Sequence, residues 1–227
     1  MKENNFSVSS KSSPNFEKIE KSEENEENFD EIIEKKIAEI ENYAQMAEKP
    51  SRFEHSKRTA KMCQTLAIRY GLNAKKAFLA GIAHDICKEC ADAILFTLAS
   101  GDNLPIGTLE RKKMALLHGR AAAQMLKVFF DVQDEEIIEA VQNHTFGKKG
   151  MSDFAKILFI ADKIEPGREQ ITEEKLKSYE KLSLNELAFL IVQENIDYLH
   201  SKGKKVSDFT FEFYEHLKFL LKEEKRG

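Results

Sequence analysis

The feature that most constrains this 227-residue chain is an adjacent His84 and Asp85 closing an apolar run, Ala77-Phe78-Leu79-Ala80-Gly81-Ile82-Ala83. The run reads as a core helix, and burying an imidazole beside a carboxylate at its end is costly unless both find partners. A metal ion is the usual solution, because it turns two awkward polar groups into ligands. Four further residues of ligand type, His55, His118, His144 and Asp162, lie in equally apolar or glycine-flanked settings. A fold that suits this chain has to bring the six together.

Periodicity gives helices throughout. Ile32, Ile33, Ile37, Ile40 and Tyr43 recur at helical spacing up to about Pro50. Ser51 to Tyr70 forms the next helix, stopped by Gly71, with His55 on the stripe of Thr59, Met62, Cys63 and Leu66. Asn73 is placed to cap the helix that carries His84 and Asp85. A segment at Ala91 to Ala99 and a turn-rich stretch from Gly101 to Gly107 follow. Lys112 to Phe130 is expected as one helix with His118-Gly119 inside it, and Glu135 to Gln142 as another with His144 just past its end. Met151 to Ile164 presents Asp162 beside its buried face and is stopped by Glu165-Pro166-Gly167. Leu184 to Lys202 and Phe209 to Glu224 complete the chain. No hairpin signal and no sustained period-two alternation occurs, so the fold class is all-α, a helical bundle.

Residues 1–27 are rich in Ser, Asn, Glu and Lys, and such a stretch buries too little to offset its ordering entropy. We therefore expect a disordered N-terminal extension over 1–27 and a single domain over 28–227. Charged residues make up 33% of the chain but nearly cancel, to −4, which disfavours nucleic acid as a partner. No apolar stretch approaches the roughly 20 residues of a membrane span. The first residues lack the apolar segment of a secretory signal, so a cytoplasmic protein is expected. Cys63, Cys87 and Cys90 are odd in number, and Cys87-Lys88-Glu89-Cys90 lacks both a second ligand pair and a βαβ setting, so the C-x-x-C is read as incidental.

Taken singly, each ligand-type residue has a plain explanation. His55 could be a satisfied core histidine, Asp162 a cap or the partner of a lysine, His118 a packing choice before Gly119, and His144 a cation at a helix C-terminus. That explanation is accepted for His200 and His216. Six such residues at converging positions favour a metal site instead. Four His and two Asp exceed the needs of one ion, so Asp85 is expected to bridge two, one held by His55, His84 and Asp162 and the other by His118 and His144. Imidazole with carboxylate suits Fe, Mn, Co or Zn. Two such ions acidify a water between them and stabilise charge on a phosphoryl group under attack. Arg58, Lys88, Lys163 and Arg168 lie within about a turn of the ligands and suit anionic oxygens.

With these residues in place, the chain resembles the HD-domain phosphohydrolases and, more narrowly, the YqeK family of bacterial symmetrical bis(5'-nucleosyl)-tetraphosphatases. The carrying segments are Arg52 to Ala60, Ala80 to Lys88, Leu117-His118-Gly119, Asn143 to Ser152, and Ile160-Ala161-Asp162-Lys163-Ile164-Glu165-Pro166-Gly167-Arg168, the most specific of them. Ile196-Asp197-Tyr198-Leu199 and Lys202-Gly203-Lys204 also fit. The resemblance implies an all-helical HD fold binding iron in a dinuclear site, and hydrolysis of diadenosine tetraphosphate to two ADP. By position it makes His55, His84, Asp85, His118, His144 and Asp162 metal ligands, and Asp85, Lys88 and Arg58 catalytic. It puts Arg58, Lys88, Thr145, Gly147, Lys163 and Arg168 at the substrate. Phe53 and Phe146 are our own candidates to stack on a base. The expected partner is a small-molecule nucleotide, with no nucleic acid and no membrane, and a homodimer is the candidate assembly. The extension before about residue 30 and Cys87 are departures from the family pattern. The alternatives are an HD phosphohydrolase of another nucleotide and a non-catalytic nucleotide- or metal-binding regulator.

Overall fold

The computed structural model describes the backbone of residues 14–226 and side chains from residue 29 to 226, and every regular element among them is helical. The order is α1 (Pro14–Ala47), α2 (Pro50–Arg69), α3 (Ala74–Ala83), α4 (Asp92–Ser100), α5 (Thr108–Lys112), a 3-10 turn (Met114–Leu117), α6 (His118–Phe129), α7 (Glu135–Asn143), α8 (Asp153–Ile164), α9 (Glu173–Tyr179), α10 (Leu184–Ser201) and α11 (Asp208–Glu224). Short polar side chains start several of them by accepting otherwise orphaned N–H groups. Asn73 accepts from Lys76 at 2.9 Å, Asp134 from Glu136 at 3.0 Å and Ser152 from Ala155 at 3.1 Å. Ser183 and Glu186 form a reciprocal capping box at α10.

Helices α2, α3, α7 and α8 make the centre, with Cys63, Leu66, Leu79, Ile82, Ile137, Val141, Phe159 and Ile160 at or near zero exposure. Helix α1 lies on α3, and Tyr43 meets Phe130 edge-on at 5.3 Å. Helix α10 packs on α8 and α11, and Phe213 of α11 sits edge-on to Phe159 at 5.3 Å. Burying a phenylalanine of this kind stabilises the fold by about 2–3 kcal/mol.

Three expectations are corrected. The N-terminal extension expected over 1–27 is not among them: residues 1–13 lie outside the described residues, and from Pro14 the backbone is helical. Its abundant Glu and Lys are good helix formers, and the packed part of α1, with Ile33, Ile40 and Ala44 buried, supplies the turns they extend. The helix expected over Lys112 to Phe130 is broken: Lys113 leaves the helical region at φ −144°, a 3-10 turn follows, and His118 opens α6. The contact that spans the break is tertiary, the buried Glu110 meeting Arg120 at 3.4 Å, while Glu110 also caps the start of α5 by accepting from the Gly107 N–H at 2.6 Å. Helix α3 ends at Ala83, so His84 caps it and Asp85 lies in a run of turns. Helix α9 carries one buried side chain, Tyr179, too little for its periodicity to show.

Candidate metal centre

Three imidazoles are oriented by one local device. Nδ1 of His84, His118 and His144 donates to the carbonyl oxygen three residues upstream, of Gly81, Ala115 and Val141, at 2.7 Å each. These carbonyls end α3, the 3-10 turn and α7, where backbone acceptors lack helical partners. His55, within α2, donates its Nδ1 proton to Glu165 Oε1 at 3.0 Å instead. With Nδ1 committed, each neutral ring offers only the lone pair of Nε2 to the interior.

The four Nε2 atoms converge. His55 and His84 face each other at 3.3 Å, and His118 and His144 at 2.9 Å. Asp85 stands between the pairs, with Oδ1 3.1 Å from His118 Nε2 and 3.7 Å from His144 Nε2, and Oδ2 3.8 Å from His84 Nε2. Asp162 Oδ1 lies 3.1 Å from His55 Nε2 and 3.8 Å from His84 Nε2. Two groups have ligand atoms all within 4.8 Å of one another, His55 with His84 and Asp85, and Asp85 with His118 and His144. Asp85 belongs to both. Lone pairs and carboxylate oxygens pointed at one another repel unless a cation joins them, and imidazole with carboxylate suits a divalent transition metal. The residues present fit such ions.

Electrostatics agree with this geometry. Burial, above all, lowers the His84 pKa to about 3, and burial likewise lowers His118 and His144, so these rings are neutral near pH 7. Burial also pushes His55 down, but its bonds to Asp162 and Glu165 outweigh that and raise it. Burial works to raise Asp85, yet His84, His118 and His144 hold it well below the usual carboxylate range. Asp162 is held low against burial by Lys163, His55, His84 and Arg168.

The basic residues divide into two kinds. Lys88 Nζ lies 2.8 Å from His118 Nε2 and 3.3 Å from Asp85 Oδ1. Arg168 Nη2 is 2.6 Å from Asp162 Oδ1, while Lys163 Nζ bonds His144 O at 3.0 Å and sits 3.9 Å from the centre of the Phe159 ring. These three line cavities at the cluster and, among the described residues, hydrogen-bond no carboxylate other than those of the cluster. Arg58 lines the smaller cavity too, but it is committed to Glu165, donating from Nε at 2.5 Å. Thr145 Oγ1 stands 3.3 Å from His118 Nε2 and 3.4 Å from His144 Nε2. Gly147 instead faces α11, where a Cβ would lie 2.4 Å from Phe213 Cδ1, and lines neither cavity described below. Gly119 is required by the site itself, because a Cβ there would lie 2.9 Å from Val141 O and 3.0 Å from His144 Cε1.

The sequence reading gave no role to Glu165 beyond a helix stop, nor one to Arg52. Glu165 is 1% exposed and also accepts from the Gly167 N–H at 2.6 Å. Burial opposes its charge, but His55, Arg58 and Gly167 bring its pKa to about 2. Arg52 donates to Asp85 Oδ2 at 2.7 Å and to Glu89 at 3.0 Å. Phe53 and Phe146 line neither cavity: Lys57 lies over the first at 5.0 Å, and the second packs near Phe209 at 6.5 Å.

Glu48, between α1 and α2, is a buried carboxyl close to this charge. Its Oε2 accepts from Ser56 at 2.9 Å, and its Oε1 has no partner among the described residues. Burial first, then Asp85, pushes it up to about 7, against Ser56, Arg52 and His55. The folded chain thus keeps a proton that the unfolded chain releases near the ordinary value of 4.5, and stability falls as pH rises from there through 7. Glu48→Gln cannot ionise, so in chelator its melting temperature exceeds that of the unaltered protein at pH 8 and matches it near pH 4.5. A difference that does not change with pH refutes this.

Two cavities open on the cluster. One of about 680 Å³ runs from Lys88 and Thr145 to α10, and one of about 420 Å³ lies toward α2. Both are lined by Lys88, Asp162 and Arg168, which places the cluster between them.

Comparison with known proteins follows the same lines. The HD domain family model matches residues 52–167, a span that contains all six ligand-type residues. A Halalkalibacterium halodurans protein named bis(5'-nucleosyl)-tetraphosphatase, symmetrical, is 30% identical over 171 residues, 73% of this chain and 88% of its own. A Bacillus subtilis protein of the same name is 29% identical, over 67% of this chain and 81% of its own. A Mycoplasma genitalium protein named probable nicotinate-nucleotide adenylyltransferase/Ap4A hydrolase is 40% identical over 119 residues, and this chain spans only about a third (33%) of its length. The crystal structure of a predicted HD superfamily hydrolase involved in NAD metabolism from Clostridium acetobutylicum superimposes with a TM-score of 0.73 at 28% identity, covering 79% of this chain and 95% of that one. The helical fold, the matched span and the relatives agree, and the chain belongs to the HD-domain family, within its YqeK group.

Proposed function

We propose that this chain, acting as a single domain over residues 28–227, hydrolyses dinucleoside tetraphosphates symmetrically, diadenosine tetraphosphate giving two ADP. The observation that carries the reading is Asp85, whose two carboxylate oxygens are directed to two different sets of imidazoles. The relatives named as symmetrical tetraphosphatases, matched over 81% and 88% of their lengths, support the substrate class.

His55, His84 and Asp162 would hold one divalent ion, His118 and His144 the other, with Asp85 shared; iron is proposed, and Mn, Co or Zn also suit the ligands. When bound, the ions supply an acidified water and offset charge at the phosphorus under attack. Lys88, Lys163 and Arg168 bind the polyphosphate oxygens along the line between the cavities. Thr145 directs its hydroxyl into the same space. Arg58 acts through Glu165, which holds His55 in the tautomer that leaves Nε2 free. A nucleoside diphosphate leaves as a stable anion, so these cations suffice for the leaving group. A cluster standing between two cavities suits cleavage at the middle of a long substrate rather than at its end. A small-molecule nucleotide partner and a cytoplasmic setting are proposed with this substrate class; among the described residues no helix is long and apolar enough to cross a membrane.

Protein purified without chelator and incubated with diadenosine tetraphosphate yields ADP alone, and elemental analysis of the same sample finds iron. AMP with ATP as products overturns the symmetric reading.

A further inference from the structure

Resting on that reading, we infer that only one of the substrate's two bases is recognised. The larger cavity takes one nucleoside through Tyr198 and Asn195, and the smaller cavity holds the other half by its phosphates alone.

The wall of the larger cavity away from the cluster is a stripe of α10, with Ile191, Asn195 and Tyr198 at spacings of four and three residues on one helical face. Ile191 is buried and makes an apolar floor. Asn195 is half-buried, and its side-chain amide has no hydrogen-bond partner among the described residues, whereas Asn143, Asn185 and Gln193 are all engaged. An amide offers a donor and an acceptor side by side, which is what the edge of adenine pairs with. Tyr198 is 54% exposed at the rim, with Lys202 and Lys204 at 5.8 and 6.0 Å from its ring centre. An exposed aromatic ring with mobile-stemmed cations over it is a platform on which a base stacks while the lysines take its phosphates.

The smaller cavity is built differently. Arg52, Arg58, Lys88 and Arg168 line it together with ligand residues, Ser51, Glu165 and Gly167, and no Phe, Tyr or large aliphatic side chain is in its lining. Such walls pair with anionic oxygens, and their guanidiniums are engaged by Asp85, Glu89, Glu165 and Asp162, so a base meets no free platform of the kind Tyr198 offers. A substrate with two identical ends therefore meets two unlike receptors, and the second base is free to vary.

The test uses the metal-loaded full chain with diadenosine tetraphosphate, adenosine 5'-tetraphosphate and inorganic tetraphosphate. Loss of the first adenosine raises KM by less than about threefold, and loss of the second raises it by about tenfold, the worth of one stacked base. Equal rises at both steps overturn the inference. Calorimetric binding of ADP and of pyrophosphate gives a readout free of turnover. ADP binds about tenfold more tightly, Tyr198→Ala removes that difference, and Tyr198→Phe keeps it. An unchanged ratio in Tyr198→Ala also overturns the inference. Failure of the tetraphosphatase reading shows separately, as the absence of ADP from diadenosine tetraphosphate, while the comparison of ADP with pyrophosphate still decides the pocket.

Discussion

Asp85→Ala is expected to lose metal and turnover together, with activity down at least about a thousandfold, beyond the 10–100-fold that loss of an outer partner costs. The size follows from the position of Asp85 in both ligand groups. Removing its carboxylate takes an anionic oxygen from each group at once. It also leaves the Arg52 and Lys88 cations, now 2.7 and 3.3 Å from that carboxylate, facing neutral rings in a buried site. Asp85→Asn separates charge from shape: it keeps the volume and loses the anion, and it is expected to fall with alanine rather than with the unaltered chain. Metal content by elemental analysis, with circular dichroism to confirm the helices, checks both variants. Retention of two ions, or of turnover, refutes the bridging role.

Glu165→Gln is the second large effect, expected to weaken metal binding by about 10–100-fold. Its carboxylate now accepts from His55 Nδ1, Arg58 Nε and the Gly167 N–H. An amide has one oxygen for these three donors, and its NH2 must face either a guanidinium or the imidazole. Presented to His55 Nδ1, it favours the tautomer with its proton on Nε2, which removes the lone pair directed at the cluster. The ion nearer His55 is therefore released first in a chelator titration, and the metal count falls from two to one before reaching zero. Loss of both ions in one step, or unchanged affinity, counts against this. The same logic reassigns Arg58. A residue that only binds phosphate changes KM when truncated, whereas Arg58→Ala, acting through Glu165, lowers metal affinity. Because the Glu165 pKa is depressed to about 2, the stability its ionised form contributes is full above the ordinary 4.5 and is lost as pH falls toward 2.

The all-helical fold was readable because long amphipathic repeats dominate this chain, and Asn73 caps α3 as its type and place foretell. His144 likewise stands just past the end of α7. What escaped depends on contacts between distant segments. Nothing in Glu110-Arg111-Lys112-Lys113 marks a helix break, since all four residues are compatible with helix, and the contact that spans the break joins Glu110 to Arg120 of α6. Phe53 and Phe146 drew attention as base-stacking candidates because they adjoin ligand-type residues in sequence. Adjacency says little about direction on a helix or turn, and both point elsewhere, while Tyr198 reaches the cavity from the far end of α10. Glu165 did leave a signal. It lies three residues after Asp162, on the same side of the chain as it leaves α8, beside a Pro-Gly turn that tightens around its carboxylate.

The three imidazoles held by carbonyls three residues upstream have an evolutionary consequence. Their orientation is written in main-chain hydrogen bonds at the ends of helices, and main-chain atoms are the same whatever side chains surround them. Neighbouring positions are thus released to drift so long as each helix stops where it does. Single-residue insertions or deletions within α3, the 3-10 turn or α7 are the changes that such drift has to avoid, because they rotate a ring by about 100° away from its partners. Distant relatives that keep this centre are then better found by asking where a helix ends on a histidine than by counting matched residues around it.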